Sequence, residues 1–197
     1  HDEFTNRQIG IFEKTASEIE SIIGKKVIKH IDNTGGILRF KRGHLDMVRL
    51  GIGLYGVDPG DHLTGSLKPV ARLKTVISQV KNILPGESIG YSRKAISNEP
   101  RRIAILPIGY ADGLWRAMGN HKGSVSINGQ RAPITGNVCM DMCMVELGDI
   151  ICNEGDEAEI FGKDISVYEV AKICNTITYE TLTSISQRVK RVFIEES

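Results

Sequence analysis

The chain has 197 residues, 41% of them hydrophobic and 25% charged, with a formal net charge of +1. These are the proportions of an ordinary soluble globular protein, long enough for one large domain or two small ones. A near-neutral balance supplies no basic face for nucleic acid or an anionic membrane, and the pair Arg101-Arg102 is too short to make one. No apolar run approaches the ~20 residues of a membrane span. The four cysteines, at 139, 143, 152 and 174, lack the spacing of a zinc site and predict reduced thiols, which favours the cytoplasm. The chain opens His1-Asp2-Glu3-Phe4 without an initiator Met, as an excerpt would, so a missing signal peptide weighs little on location.

Residues 4–24 carry Ile9, Phe12, Ala16, Ile19 and Ile23 at spacings of three and four, which predicts an amphipathic helix stopped by Gly24. Lys26-Val27-Ile28-Lys29-His30-Ile31 reads as a short strand and Asp32-Asn33-Thr34-Gly35-Gly36 as the loop after it. Met47-Val48-Arg49-Leu50-Gly51-Ile52-Gly53-Leu54-Tyr55 is apolar enough to predict a buried strand. Helix, strand, loop and strand make an α/β fragment with room for parallel pairing, but two strands and a helix cannot close a barrel.

The character changes around Asp58-Pro59-Gly60. From Leu67 the chain reads as strands separated by turns at Pro85-Gly86-Glu87, Gly119-Asn120, Gly148-Asp149 and Glu154-Gly155-Asp156, with a two-residue hairpin at Asn128-Gly129. That spacing predicts an antiparallel barrel or sandwich. Ser166-Val167-Tyr168-Glu169 fits a capping box opening a helix, with Val167, Val170, Ala171 and Cys174 on one side. A second short helix is expected at 179–184 and a closing strand at 188–194. Cys139 and Cys143 share one face if their segment is a strand, and then pack as small hydrophobes.

Three constellations carry possible chemistry. Asn33-Thr34-Gly35-Gly36 and Arg49-Leu50-Gly51-Ile52 each follow or end an expected parallel strand, where glycine and a hydroxyl can cradle an anion; the plain alternative is a turn and a tight packing site. Tyr91 stands beside Gly90, either as a structural residue or as a base. An ordinary phenol titrates near ~10, so the second role needs positive charge or a matched hydrogen bond nearby. Gly109-Tyr110-Ala111-Asp112-Gly113 falls where an apolar strand ends and turns. On a regular strand Met140 and Asp141 point to opposite faces, which suits either a ligand wall or a hairpin with a buried methionine.

Five blocks in order make the sequence similar to the alanine racemases over nearly its whole length. They are Lys29-His30-Ile31-Asp32-Asn33-Thr34, then residues 47–56, Ile89-Gly90-Tyr91, residues 106–113, and Gly136-Asn137-Val138-Cys139-Met140-Asp141-Met142. The resemblance implies a pyridoxal 5'-phosphate enzyme that racemises alanine by two bases, a lysine on one face and Tyr91 on the other. It puts Arg49 opposite the pyridine nitrogen, where a guanidinium keeps its proton and leaves the ring largely unprotonated. Asn33, Thr34, Gly51 and Ile52 match the neighbourhood of the cofactor phosphate, with Thr34 where the family often has Ser. Tyr110 and Met140 match positions lining the substrate pocket, with Asp141 close by. Gln187 falls where some members carry a tyrosine at the site entrance.

The implied fold is mostly β with an α/β N-terminal part: residues 1–60 as the last strands of a cofactor-binding (β/α)8 barrel and 61–197 as an antiparallel β-rich domain. Family members are homodimers with shared active sites, so Arg49 and Tyr91 of one chain would serve different sites. No segment here resembles the block bearing the cofactor lysine, and an isolated chain is expected to be inactive, with exposed apolar edges at 27–31 and 47–54. Alanine is the expected substrate, for cell-wall precursor supply. A broader-specificity serine racemase and a non-catalytic dimerisation module of a fused polypeptide are the alternatives.

Overall fold

A computed structural model describes residues 2–58, 60, 67–91 and 95–195. The chain divides between Val70 and Ala71 into two units. In the first, α1 spans Asp2–Ile23, with Asp2 and Glu3 complementing the positive end of its dipole. Gly24 ends it at φ +70°, its amide bonded to the Glu20 carbonyl at 3.0 Å. Ile9 and Ala16 of the expected apolar stripe are buried, whereas Ile19 and Ile23 are exposed.

The strands expected at 26–31 and 47–55 do not form a β-ladder among the described residues. Two extended segments do run in the same direction, joined where Asp46 N bonds Lys29 O at 3.1 Å and Arg49 N bonds Asp32 O at 2.9 Å. These bonds stand three residues apart on each segment, where a parallel ladder repeats every two, and at the near end the Lys29 amide goes to the Asp46 carboxylate, at 2.9 Å, rather than to a carbonyl. Nor is the second segment buried: Met47, Val48, Leu50, Leu54 and Tyr55 are exposed and only Ile52 is enclosed. Its end, Ile52–Tyr55, winds into a 3-10 turn that Gly56 stops at φ +71°. The loop expected at 32–36 is instead the start of a helix. Asn33 caps α2 (Thr34–Arg39), its side chain accepting from the Gly36 amide at 3.1 Å.

The second unit is a seven-stranded antiparallel sheet in the order β1-β9-β6-β7-β8-β5-β2. The strands are β1 Leu73–Val76, β2 Gln79–Ile83, β5 Arg101–Leu106, β6 Ser124–Ile127, β7 Gln130–Thr135, β8 Cys143–Glu146 and β9 Glu157–Phe161, with a separate pair of β3 Ser88–Ile89 and β4 Ala95–Ile96. The edge strands β1 and β2 are joined only by Ile77-Ser78. There Ile77 N bonds Asp156 O beside β9 and Ser78 N bonds Ile105 O in β5, so the sheet curls back on itself. Asn128 and Gly129, at φ +52° and +76°, form the expected tight hairpin between β6 and β7. Val125, Ile127, Ile134, Val145 and Ile160 fill the core.

Ser166 caps α3 (Val167–Ile173) through the Tyr168 amide, but Glu169 does not complete the box, because its carboxylate pairs with Arg131. A further short helix, α4, spans Thr178–Thr183. Residues 188–194 form no strand: Arg191 takes the carbonyls of Ile185, Ser186 and Val189, and Val192, Phe193 and Ile194 are exposed. All four cysteines are buried and free, but Cys139 lies in a turn before β8 rather than on a strand with Cys143. No described helix is long and apolar enough to cross a membrane.

Candidate active site

The two distinctive stretches of the sequence meet backbone to backbone. As the chain leaves β5 it turns at 109–113, and the segment leading into β8 turns at 139–142, closed by Cys139 N bonding Met142 O at 2.9 Å. Tyr110 N bonds Cys139 O and Ala111 N bonds Met140 O, each at 3.0 Å. Gly109 permits this approach, since a Cβ there would lie 2.3 Å from the Met140 carbonyl oxygen. Asp112, buried, locks the first turn by accepting from the Gly109 amide at 2.8 Å. The turn removes the regular strand on which Met140 and Asp141 were expected to face opposite ways.

The side chains left outside this docking are those the sequence singles out. Tyr110 is 42% exposed and Met140 54%. Asp141 is exposed too, but its carboxylate is committed: Arg188 donates to it through Nη2 and to Asp112 Oδ1 through Nε at 2.7 Å. Sequence reasoning missed Arg188, whose partners lie far away in the chain. Tyr91 is 73% exposed and follows Gly90, which takes φ +70° and sits so close to the Met144 side chain that a Cβ would lie 2.9 Å from its Cε. Ile89 packs with Ile83, Ile103 and Met144, so the tyrosine stands on a buried footing beside the start of β8.

In the first unit, the Thr34 hydroxyl, buried, accepts from the amides of Gly51 at 3.1 Å and Gly53 at 3.4 Å. It ties the N-terminus of α2 to the segment before Ile52, so Asn33, Thr34, Gly51 and Ile52 converge as one cradle. Arg49 is held beside it, donating through Nη2 to the Ile31 carbonyl at 2.8 Å. A cavity of about 490 Å³ adjoins the cap, lined by Ile31, Asp32, Asn33, Gly35 and Gly36 among others. Asp32 is the unexpected member. It is buried against Gly36 and Gly43, where any Cβ would strike its carboxylate, and its Oδ2 has no partner. Burial pushes its carboxyl above the usual range, against the opposing charges of His44 and Arg49. Among the described residues no cluster of His, Cys, Asp or Glu could hold a metal ion.

The family model described as alanine racemase, C-terminal domain, matches residues 70–193, and that for the alanine racemase N-terminal domain matches residues 1–59. Alanine racemase of Helicobacter pylori strain J99 is 41% identical over 191 residues, covering 89% of this chain and 50% of that protein. Alanine racemase of Clostridium difficile 630 superposes with a TM-score of 0.91 at 35% identity, over 98% of this chain and 51% of that one. A crystal structure of the Bartonella henselae alanine racemase with covalently bound pyridoxal phosphate gives 0.81 at 32% identity, over 96% and 52%. The chain thus spans about half the length of the relatives it matches. With both family models aligned in order along it and these relatives sharing its fold, the chain belongs to the alanine racemase family.

Proposed function

We propose that the chain is the C-terminal portion of a pyridoxal 5'-phosphate-dependent racemase that interconverts L- and D-alanine. Residues 1–60 are then the end of the cofactor-binding barrel and 61–197 the β-rich domain, in a cytoplasmic homodimer with shared active sites that supplies D-alanine for cell-wall precursors. The observation that carries the reading is Tyr91, an exposed phenol on a buried footing, in the same unit as the exposed Tyr110 and Met140.

The cradle fits the cofactor's phosphate. A hydroxyl that accepts two amide hydrogens still has its own to donate. At the start of α2 the Thr34 and Gly35 amides precede the first intrahelical bond, the Gly36 amide being taken by the Asn33 side chain. Asn33, Thr34, Gly51 and Ile52 would hold that phosphate, and Arg49 would face the pyridine nitrogen. The bound cofactor supplies electron withdrawal that acidifies the amino acid's α-hydrogen. Tyr91 takes or returns that proton on one face of the α-carbon. Tyr110, Met140 and the backbone beside Asp141 confine the substrate and exclude water. The other face belongs to the anchoring lysine, which on this reading stands outside these 197 residues.

Tyr91→Phe in the full-length protein tests the assignment. Racemisation should fall by about a hundredfold or more while the visible absorbance of bound cofactor persists; undiminished racemisation would remove Tyr91 from the mechanism. The 197-residue chain by itself should yield no stoichiometric cofactor adduct on borohydride reduction, and such an adduct would show that it carries its own anchoring lysine.

A further inference from the structure

Arg188 joins the two turns that make the candidate substrate wall. Its Nε donates to Asp112 Oδ1 at 2.7 Å, in the turn bearing Tyr110, and its Nη2 donates to Asp141 Oδ1, in the turn bearing Met140. Both ends of the Asp112 side chain are thereby used, since its Oδ2 takes the Gly109 amide. The segment carrying the arginine has no slack. Ser186 N bonds the Asp112 carbonyl at 3.1 Å, and Gly113, at φ +112°, lies where a Cβ would meet Ile185 Cα at 2.9 Å.

We propose that Arg188 is a positioning residue for the substrate wall: its guanidinium bridges Asp112 and Asp141 and so sets where Tyr110 and Met140 meet the substrate. This rests on the reading that those two side chains line the substrate site. A planar fork reaches two carboxylates at once, which a lysine's single ammonium does less well. Without it, two negative groups are left on adjoining turns and repel, and the turn carrying Met140 moves outward. Tyr91 is footed separately on Ile89 and Met144, so the proton transfer is not directly disturbed. A displaced wall loses contacts made equally in ground and transition states, which raises KM more than it lowers kcat.

The test uses the full-length holoenzyme with Arg188→Met, Arg188→Lys, Asp141→Ala and Met140→Ala, assaying both directions of alanine racemisation alongside cofactor absorbance. Arg188→Met should raise KM by about tenfold, the scale of a lost charge-assisted pair, with kcat changed by less than about threefold. Arg188→Lys should recover part of that, and the Arg188→Met, Asp141→Ala double variant should be no worse than Arg188→Met alone, because the repulsion is gone. A folded, cofactor-loaded Arg188→Met enzyme with unchanged KM would overturn the proposal, as would a lysine variant no better than methionine. If Arg188→Met does not fold, Asp141→Ala removes only the exposed arm of the bridge; a raised KM then supports the role and an unchanged one refutes it. Met140→Ala separates the two levels. A KM raised there but not in Arg188→Met defeats the positioning role alone, whereas no change in either defeats the wall itself.

Discussion

Gly109→Ala should be among the more damaging single-methyl additions in the β-rich unit. The glycine does not occupy the left-handed region, so alanine's backbone preferences are not the obstacle; space is. The new Cβ would lie 2.3 Å from Met140 O and 2.4 Å from Cys139 O, both backbone atoms that cannot rotate aside. Restoring ordinary contact requires the turns to part by about 1 Å, which carries the Tyr110 and Ala111 hydrogen bonds, now 3.0 Å, beyond useful range. Two backbone bonds at about 1 kcal/mol each, more where the freed groups cannot reach water, give a loss of about 2–4 kcal/mol. Gly148→Ala is the control. Gly148 has φ +50° but nothing within 4 Å of the added atom, so its cost is the backbone term alone, about 1 kcal/mol. Equilibrium urea unfolding of the full-length protein should rank Gly109→Ala as the less stable of the two. The reverse order, or a Gly109→Ala variant within about 0.5 kcal/mol of the parent, would refute the docking argument.

Thr34→Val takes the acceptor from the Gly51 and Gly53 amides in a half-buried site, so a loss of about 1 kcal/mol and weaker cofactor retention on dialysis are expected, while Thr34→Ser stays near the parent. The Glu20 carboxyl is held at about 2, from an ordinary 4.5, first by the Val27 amide and then by Lys26, with Lys29 adding to it. A depressed pKa means its stabilisation is present above about 4.5 and is lost as pH falls toward about 2, so Glu20→Gln should flatten the melting temperature across that window; an unchanged slope would contradict it. Burial, with the neighbouring Cys139, pushes the Cys143 thiol up to about 12, so native protein at pH 8 should leave it unalkylated by iodoacetamide; labelling at a free thiol's rate, read by mass spectrometry, would contradict that.

The sheet was legible because its signals are local. Asn128-Gly129, Gly86, Gly148 and Gly155 all take positive φ at the turns their residue types suggested. The apolar run at 47–55 forms no buried strand, yet its exposure is the apolar edge expected at 47–54: composition reports a preference for burial, not the neighbour that supplies it, and among the described residues Met47, Val48, Leu50 and Leu54 have too little cover. Residues 188–194 have strand-like composition, yet Arg191 claims the carbonyls just upstream and no sheet edge takes the segment. Arg188 was out of reach altogether, since it meets Asp112 across 76 residues and no local spacing announces such a pair. Asp32 looked like one more polar loop residue. The clue lay in Gly36 and Gly43, whose missing side chains make room for its carboxylate.

The same motifs divide their work between residues that make the site and residues that use it. Gly109, Asp112 and Cys139 are committed to holding the turns: the Gly109 amide goes to Asp112, whose other oxygen takes Arg188, and Cys139 bonds Met142 and Tyr110 through its backbone. All three are buried or without a side chain to offer. Their neighbours Tyr110 and Met140 project outward because the turns beneath them are fixed by backbone contacts rather than by those side chains. Gly90 and Tyr91 repeat the arrangement, a glycine packed to within reach of Met144 followed by an exposed phenol. So does the first unit, where Thr34 gathers two amides under a helix cap. Side chains freed from structural duty in this way can be tuned to a substrate without unfolding their support. Substitutions at Tyr110 or Met140 should therefore alter substrate handling before stability, and those at Gly109 or Asp112 the reverse.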